Sequence, residues 1–509
     1  MDSMTFAGKR ITIMGLGFFG GTIGLARYLV AQGAQVTVTD LKSPDDLQDS
    51  MAALDGLSVR LVLGRHEEAD FTDVDMVFAS PAVREDSPYL LAARACGVPI
   101  DTEMNLFMRR CPGSVIGVTG SNGKTTTTSL IGAILRAANP RTQVGGNIGR
   151  SLLPEIAAIE PGDPVVLELS SFQLEDLAAV GRSPHIAILL NLSPNHLDRH
   201  GSMEQYLAAK MQIFAYQGPE DVAILNADDP RLQALAGDLR STCRYFSCEH
   251  VVHDGVYLAG DGLVVAHSGS GSEVCRLQDI TLLGRHNVAN VMAAVAAADA
   301  WGVPAAVMRE AIRAFPGVEH RLERVGDLDG VSFYNDSIAT SPTGTLAALA
   351  AIQQPIWLIA GGYDKGLPFQ ALGEAIVQRV QGVFLIGTTA QQIAQAIATA
   401  RRPGRDLPSI TFCGDLRDAV RAASGAASPG EVVLLSPACA SYDQFRNFVE
   451  RGRLFKQLVS ELDDSRGRSP RGCGSRPGEP SDDPATSCLQ SPHQSRIVRR
   501  HLPTCEESA

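Results

Sequence analysis

The chain predicts an α/β protein of several domains, and three observations carry that prediction. An apolar strand, a glycine-bearing turn and a helix follow one another at residues 10–40, and the same order returns at 115–135. From about 356 to 435 apolar strands again alternate with helical stretches. Length agrees: 509 residues exceed a single core, and about 100–200 residues per domain predicts three or four.

The first unit opens on an apolar strand (Ile11, Ile13), then Gly15-Leu-Gly17-Phe-Phe-Gly20, a helix through Leu29 and a strand ending at Asp40. This G-x-G-x-x-G turn, with an acid twenty residues after its last glycine, reads as a Rossmann unit that seats a diphosphate on a helix N-terminus. Asp40 reads either as a ribose ligand or as an acid that holds the turn. A further strand at 76–79 ends at Ser80-Pro81, where a loop completes a ligand crevice.

The second unit carries Thr-Gly-Ser-Asn-Gly-Lys-Thr-Thr at 119–126, between the strand of Val115, Ile116 and Val118 and a helix at 127–135. Converging backbone N–H groups, a helix dipole and the Lys124 charge make a phosphate cradle, and the Thr125 hydroxyl is placed for magnesium. Glu168 closes an otherwise apolar strand, a place for a carboxylate that meets a metal or a buried partner. The loop at 191–200 holds His196 and His200, and hard oxygen ligands rank above zinc there. Lys210 lies in a helix-like stretch at 202–214 and by itself reads as a solvated lysine. Short glycine-rich β segments follow to about 283, then an alanine-rich helix opened by His286 and Asn287, with Asn290 on the same face for a base edge or a helix cap.

In the third block the strands at 356–360 and 432–435 end in polar loops, Gly361 to Lys365 and Ser436 to Phe445, at the carboxyl ends where α/β sheets carry function. From about Asp464 the composition shifts to Arg, Ser, Pro and Gly without periodicity, which predicts a disordered tail over 464–509.

Composition limits the function. A formal net charge of −12 argues against a general nucleic-acid binder. Ten scattered cysteines without a C-x-x-C pair indicate reduced thiols rather than zinc or disulfides. The first ten residues lack the order of a signal peptide, and no apolar run of about 18 residues spans a bilayer, so a cytoplasmic protein without membrane insertion is expected.

Taken together, the motifs at 119–126, 145–149, 168–174, 193–200, Lys210, 286–290, 320–323, 335–340 and 436–448 resemble the Mur ligases, nearest the MurD type, over about residues 8 to 460. The resemblance implies a Rossmann-like N-terminal domain (1–110) for the UDP-sugar, a central P-loop ATPase domain with a mainly parallel sheet (111–315), and a Rossmann-like C-terminal domain (316–463) for the amino acid. It implies ATP and two Mg2+ sites, UDP-N-acetylmuramoyl-L-alanine and glutamate as substrates, an acyl-phosphate route to the amide in peptidoglycan synthesis, and a monomer. UDP-sugar contacts would be Gly15, Gly17, Phe18, Asp40, Ser80 and Asn147. ATP would meet Gly120, Ser121, Asn122, Gly123, Lys124, Thr125, Thr126, Asn290, Arg321 and Asp336. Thr125, Glu168, His196 and a carbamylated Lys210 would serve the metals, with Lys124, His196 and Lys210 catalytic. Thr340, Lys365, Ser441 and Phe448 would surround the amino acid.

One position departs. The usual MurD motif Asp-Ser-Lys-Ala-Thr-Asn reads Asp336-Ser-Ile338-Ala-Thr340-Ser341, so a cation beside anionic ligands is missing. Either Lys365 or a nearby arginine supplies the charge, or the amino-acid pocket differs; D-glutamate is expected, with an L-glutamate variant kept open. The rivals are a folylpolyglutamate synthase and, from another class, a nucleotide-binding regulator without ligase activity.

Overall fold

The computed structural model describes residues 5–17, 20–401 and 407–465. The expected contact Phe18 and the expected tail from 466 onward lie outside the described residues; the last helix, Phe448–Ser465, runs one residue past the composition shift.

Three sheets organise residues up to Asp463. The first is β1 (Arg10–Met14), β2 (Gln35–Asp40), β3 (Val59–Leu63), β4 (Met76–Ala79) and β5 (Ile100–Asp101), ordered β3-β2-β1-β4-β5 and parallel throughout. Parallel strands joined by helices are covered on both faces, which is why Ile11, Ile13, Val38, Val77 and Phe78 are all buried.

The central sheet contains β6 (Ser114–Thr119), β7 (Gln143–Gly146), β8 (Pro164–Glu168), β9 (Ile186–Leu189), β10 (Val222–Asn226), β11 (Thr242–Ser247), β12 (Gly255–Ala259), β13 (Gly262–His267) and β14 (Ser270–Arg276). Its order is β14-β13-β12-β11-β10-β9-β6-β8-β7, parallel from β7 to β12, with β12, β13 and β14 running as an antiparallel meander at one edge. The helices Lys124–Ala138 and Arg285–Ala300 pack against each other over this sheet. Alanine makes that approach possible: every residue from Asn290 to Ala298 is buried, and most of them are Ala or Val.

The third sheet is β15 (Glu323–Leu328), β16 (Val331–Asn335), β17 (Ile356–Gly361), β18 (Val380–Ile386), β19 (Ser409–Phe412) and β20 (Val432–Leu435), ordered β15-β16-β20-β17-β18-β19. Only the β15–β16 pair is antiparallel. The strands expected at 356–360 and 432–435 are present as β17 and β20. β15 and β16 were not expected, because β15 is an edge strand whose Glu323, Arg324 and Asp327 hide the alternation.

In each sheet one strand sits where the order reverses. β1 lies between β2 and β4, β6 between β9 and β8, and β20 between β16 and β17. Ligand crevices form at the carboxyl ends beside such switch points, and there the three polar motifs emerge: Gly15 to Gly20, 119–126 and Ser436 to Ser441.

Leu167, fully buried one residue before Glu168, shares a core with Leu169, Leu174 and Leu177. Leu167→Ala is expected to cost about 2–5 kcal/mol, measured as a lowered urea midpoint at unchanged m-value.

Candidate active site

The loop after β6 turns on Gly120, at φ 156°, and Gly123, at φ 84°, before the helix Lys124–Ala138 begins. A side chain at 123 is forbidden twice over: the backbone is left-handed, and an added Cβ would lie 2.2 Å from the Asn290 side-chain oxygen. Asn290 in turn donates to Asn287 Oδ1 at 2.9 Å, so the loop and the buried alanine-rich helix fit face to face.

The loop is clamped from the next strand. Asn122 N donates to Asn191 Oδ1 at 2.9 Å, and Asn191 Nδ2 returns a bond to Asn122 O at 3.0 Å. Ser121 Oγ donates to Ser193 O and accepts from Ser193 N, both at 2.9 Å. Rigid backbone N–H groups ahead of a helix are what a polyphosphate needs.

Two lysines converge on this loop. Lys124 Nζ donates to Gly120 O at 2.9 Å and Ser121 O at 3.1 Å, and Lys210 Nζ donates to the same Gly120 O at 3.0 Å. Lys210 is buried, with its ammonium 4.5 Å from the centre of the Tyr206 ring one helical turn earlier. Burial, aided by the Lys124 charge, pushes Lys210 down to about 7. Burial also lowers Lys124, with Arg321 adding to it and Glu168 opposing. The solvated lysine that residue 210 suggests in isolation is therefore not what the fold makes of it.

Glu168 ends β8 in the buried interior. Its Oε1 accepts from Asn147 Nδ2 at 2.8 Å, while its Oε2 is buried without a hydrogen-bond partner. An orphaned buried carboxylate oxygen fits a hard divalent cation such as Mg2+, which takes oxygen ligands. Asn147, expected at the UDP-sugar, thus also orients Glu168. His196 opens the helix Leu197–His200 at φ 54° and is exposed, its ring edge-on to Phe172 at 5.2 Å. The buried imidazole of this loop is His200, bonded to Ser171 Oγ at 2.9 Å and Glu175 Oε1 at 3.1 Å.

A cavity of about 920 Å³ opens beside the loop, between the second and third sheets. Asn122, Gly123, Thr126, Asn290, Arg321 and Asp336 line it, six of the ten residues expected to meet ATP. Burial drives Asp336 up to about 7, although Ser436 Oγ donates to it at 2.8 Å and Leu322 N at 3.2 Å. Ile338 lines the same cavity. Lys365 Nζ donates to Thr340 O at 3.5 Å, two residues further along the same segment. A second cation lies behind the segment, since buried Arg451 donates to Ser337 O at 2.9 Å and Cys439 O at 3.1 Å. Ser441 follows this loop as a buried residue, and Phe448 O accepts from Ser337 Oγ at 2.8 Å.

In the first sheet, Gly15 is left-handed and an added Cβ would meet Ser80 Cβ at 3.0 Å, so turn and Ser80 loop pack directly. Asp40 is the turn acid of the two readings: Oδ2 accepts from Leu16 N at 2.8 Å and Gly17 N at 3.1 Å, and Oδ1 from Lys42 N at 2.9 Å. Gly20 faces the central unit, where an added Cβ would lie 2.7 Å from Gly149 O.

Sequence reasoning missed Tyr206 and Arg451, and named His200 only as part of its loop. Tyr206 had a signal, its i, i+4 spacing from Lys210. Arg451 had none, because its partners are remote in sequence.

Three switch-point loops, one of them a phosphate cradle with two desolvated lysines, define an α/β protein built to bind nucleotide phosphates. Residues 9–101 match the family described as Mur ligase MurD-like, N-terminal domain, 118–298 the Mur ligase middle domain, and 320–439 the Mur ligase, glutamate ligase domain. The chain belongs to the Mur ligase family. It is 47% identical over 471 residues to the UDP-N-acetylmuramoylalanine--D-glutamate ligase of Roseiflexus sp. (strain RS-1), covering 90% of this chain and 100% of the relative. It is 46% identical over 456 residues to the protein of the same name from Symbiobacterium thermophilum, covering 89% and 98%. The fold is that of the UDP-N-acetylmuramate-alanine ligase MurC from Thermotoga maritima, with a TM-score of 0.59 at 20% identity over 90% of this chain and 100% of that one.

Burial disfavours the Lys210 charge, so Lys210→Met is expected to leave the ligand-free protein as stable as the wild type or more so, by up to about 2 kcal/mol, although ligase turnover is lost with the amine. Thermal unfolding and phosphate release on the same preparation check both halves.

Proposed function

We propose that this chain is an ATP-dependent ligase that adds D-glutamate to UDP-N-acetylmuramoyl-L-alanine in peptidoglycan synthesis. The observation that carries the reading is the pair Lys124 and Lys210 on one loop carbonyl, with the Glu168 orphan oxygen as their acidic counterpart.

The chemistry follows from what a carboxylate lacks. Its charge repels an amine, and oxide does not leave. An alanyl carboxylate oxygen attacks the ATP γ-phosphorus, the bond to the β-phosphate oxygen breaks, and ADP departs. The glutamate amine then attacks the acyl carbon, a C–N bond forms, the C–O bond to phosphate breaks, and the amine loses a proton. Both steps gather negative charge on phosphate oxygens, so positioning and neutralisation dominate. Lys124 and the 119–126 backbone hold the β and γ phosphates, and Asn290, Arg321 and Asp336 hold the nucleoside end in the cavity. Thr125, Glu168 and His196 would hold two magnesium ions, which supply charge neutralisation to the phosphates when bound. Lys210, neutral above its value of about 7, is the form of lysine that adds to carbon dioxide, releasing a proton and leaving a carbamate. That carbamate turns a repelled cation into an oxygen ligand.

Residues 1–110 take the UDP-sugar through Gly15, Gly17 and Ser80, with Asp40 shaping the turn. Residues 111–315 take ATP, and residues 316–463 take glutamate through Thr340, Lys365, Ser441 and Phe448. We assign a cytoplasmic monomer; no helix among the described residues is long and apolar enough to cross a membrane.

Phosphate release is expected only when ATP, UDP-N-acetylmuramoyl-L-alanine and D-glutamate are all present; release with L-glutamate alone, or a requirement for pteroate, overturns the assignment. Added bicarbonate is expected to raise turnover well above pH 7, where Lys210 is an amine, and to leave it unchanged well below, where it is an ammonium.

A further inference from the structure

Arg199 lies in the loop that carries His196, yet its guanidinium leaves that loop. Nη1 donates to Pro81 O at 3.1 Å and Nη2 to Val83 O at 3.3 Å, both on the segment after β4 of the first sheet. Its flat face rests on the Phe172 ring, with the guanidinium carbon 4.4 Å from the ring centre. Phe172 is four residues beyond Glu168, just past the Ser170 capping box that starts the helix Ser171–Leu177. His200 stacks on the same ring at 5.1 Å and 9°.

The segment Arg199 grips is the one that abuts the glycine turn. The added Cβ that fixes Gly15 would meet Ser80 Cβ at 3.0 Å and Val83 Cγ2 at 3.7 Å. A continuous set of contacts therefore runs from Gly15 through Ser80 and Val83 to Arg199, then to Phe172 and the strand that ends in Glu168. Arg199 spends its charge on neutral carbonyls while acids stand near it: burial raises Asp176 to about 6, Glu85 and Glu175 add to the rise, and Arg199 pulls against them.

We infer that Arg199 is a positioning residue for the sugar-nucleotide: it holds the Ser80–Val83 segment at the glycine turn in register with the Glu168 end of the central sheet. This rests on the sugar-nucleotide reading of the first sheet. The forked guanidinium reaches the two carbonyls with separate nitrogens while its plane covers the ring; a lysine brings a single nitrogen on a shorter reach and no flat face.

The experiment uses the full chain with Arg199→Gln and Arg199→Lys, steady-state kinetics for each substrate, calorimetric binding of UDP-N-acetylmuramoyl-L-alanine, and thermal unfolding. Arg199→Gln is expected to raise KM and Kd for the UDP-sugar about tenfold and to leave KM for ATP within about twofold. Arg199→Lys is expected to raise the UDP-sugar KM at least about threefold, since charge alone does not restore both bonds. Unchanged UDP-sugar affinity, an equal loss toward ATP, or wild-type behaviour of Arg199→Lys overturns the inference. If Arg199→Gln does not fold, Arg199→Lys decides by the same criteria. A wild-type chain that binds no UDP-sugar defeats the sugar-nucleotide reading itself and this inference with it.

Discussion

Two ammonium groups share the carbonyl oxygen of Gly120 in a buried site, and the rest of the site answers to that crowding. Like charges held on one carbonyl repel, more so where water is excluded. Burial first, and the Lys124 charge second, lower Lys210 to about 7, so the ligand-free site holds its second proton weakly. The same arrangement becomes favourable once phosphate oxygens enter. The loop glycines, the reciprocal Asn122 and Asn191 amides and the buried alanine helix all keep this pair from relaxing apart. The site is thus preorganised for an anion at the expense of the empty protein.

On the proposed assignment each sheet serves one reactant, and side-chain and backbone contacts join the sheets. Gly20 seats against Gly149 O, Arg199 bridges the first and second sheets, and Ile338, Asp336 and Asn290 line one cavity. Arg446 pairs with Asp49 at 3.0 Å, joining the loop after β20 to the segment beyond the glycine turn. That last pair is exposed at both ends and contributes about 1 kcal/mol or less. A bond of this strength costs little to break, whereas the helix packing of the central unit is buried.

The sequence made the architecture legible where apolar runs were continuous: β17 and β20 hold no polar residue, and β6 is apolar from Val115 to Val118. It failed at β15, whose charges reflect an edge. At the site, local signals were readable because the phosphate loop, the glycine turn and the loop after β20 are contiguous segments. Lys210 was opaque, since its burial depends on Tyr206 and the Gly120 carbonyl ninety residues away in sequence. Asp40 and Asn147 were ambiguous for a related reason: an acid or amide beside a ligand site serves the backbone or another side chain as readily as the ligand. Arg451, wholly buried among carbonyls, carried no sequence signal at all.

Ile338 gives the nucleotide cavity a hydrocarbon wall where the usual MurD motif carries a lysine. For inhibitor chemistry this inverts a common choice. An acidic substituent packed on the Ile338 side chain loses hydration there, while an alkyl group buries apolar surface at about 25 cal/mol per Å². Selectivity for this ligase over its lysine-bearing relatives therefore lies in a small greasy substituent rather than in a charged one.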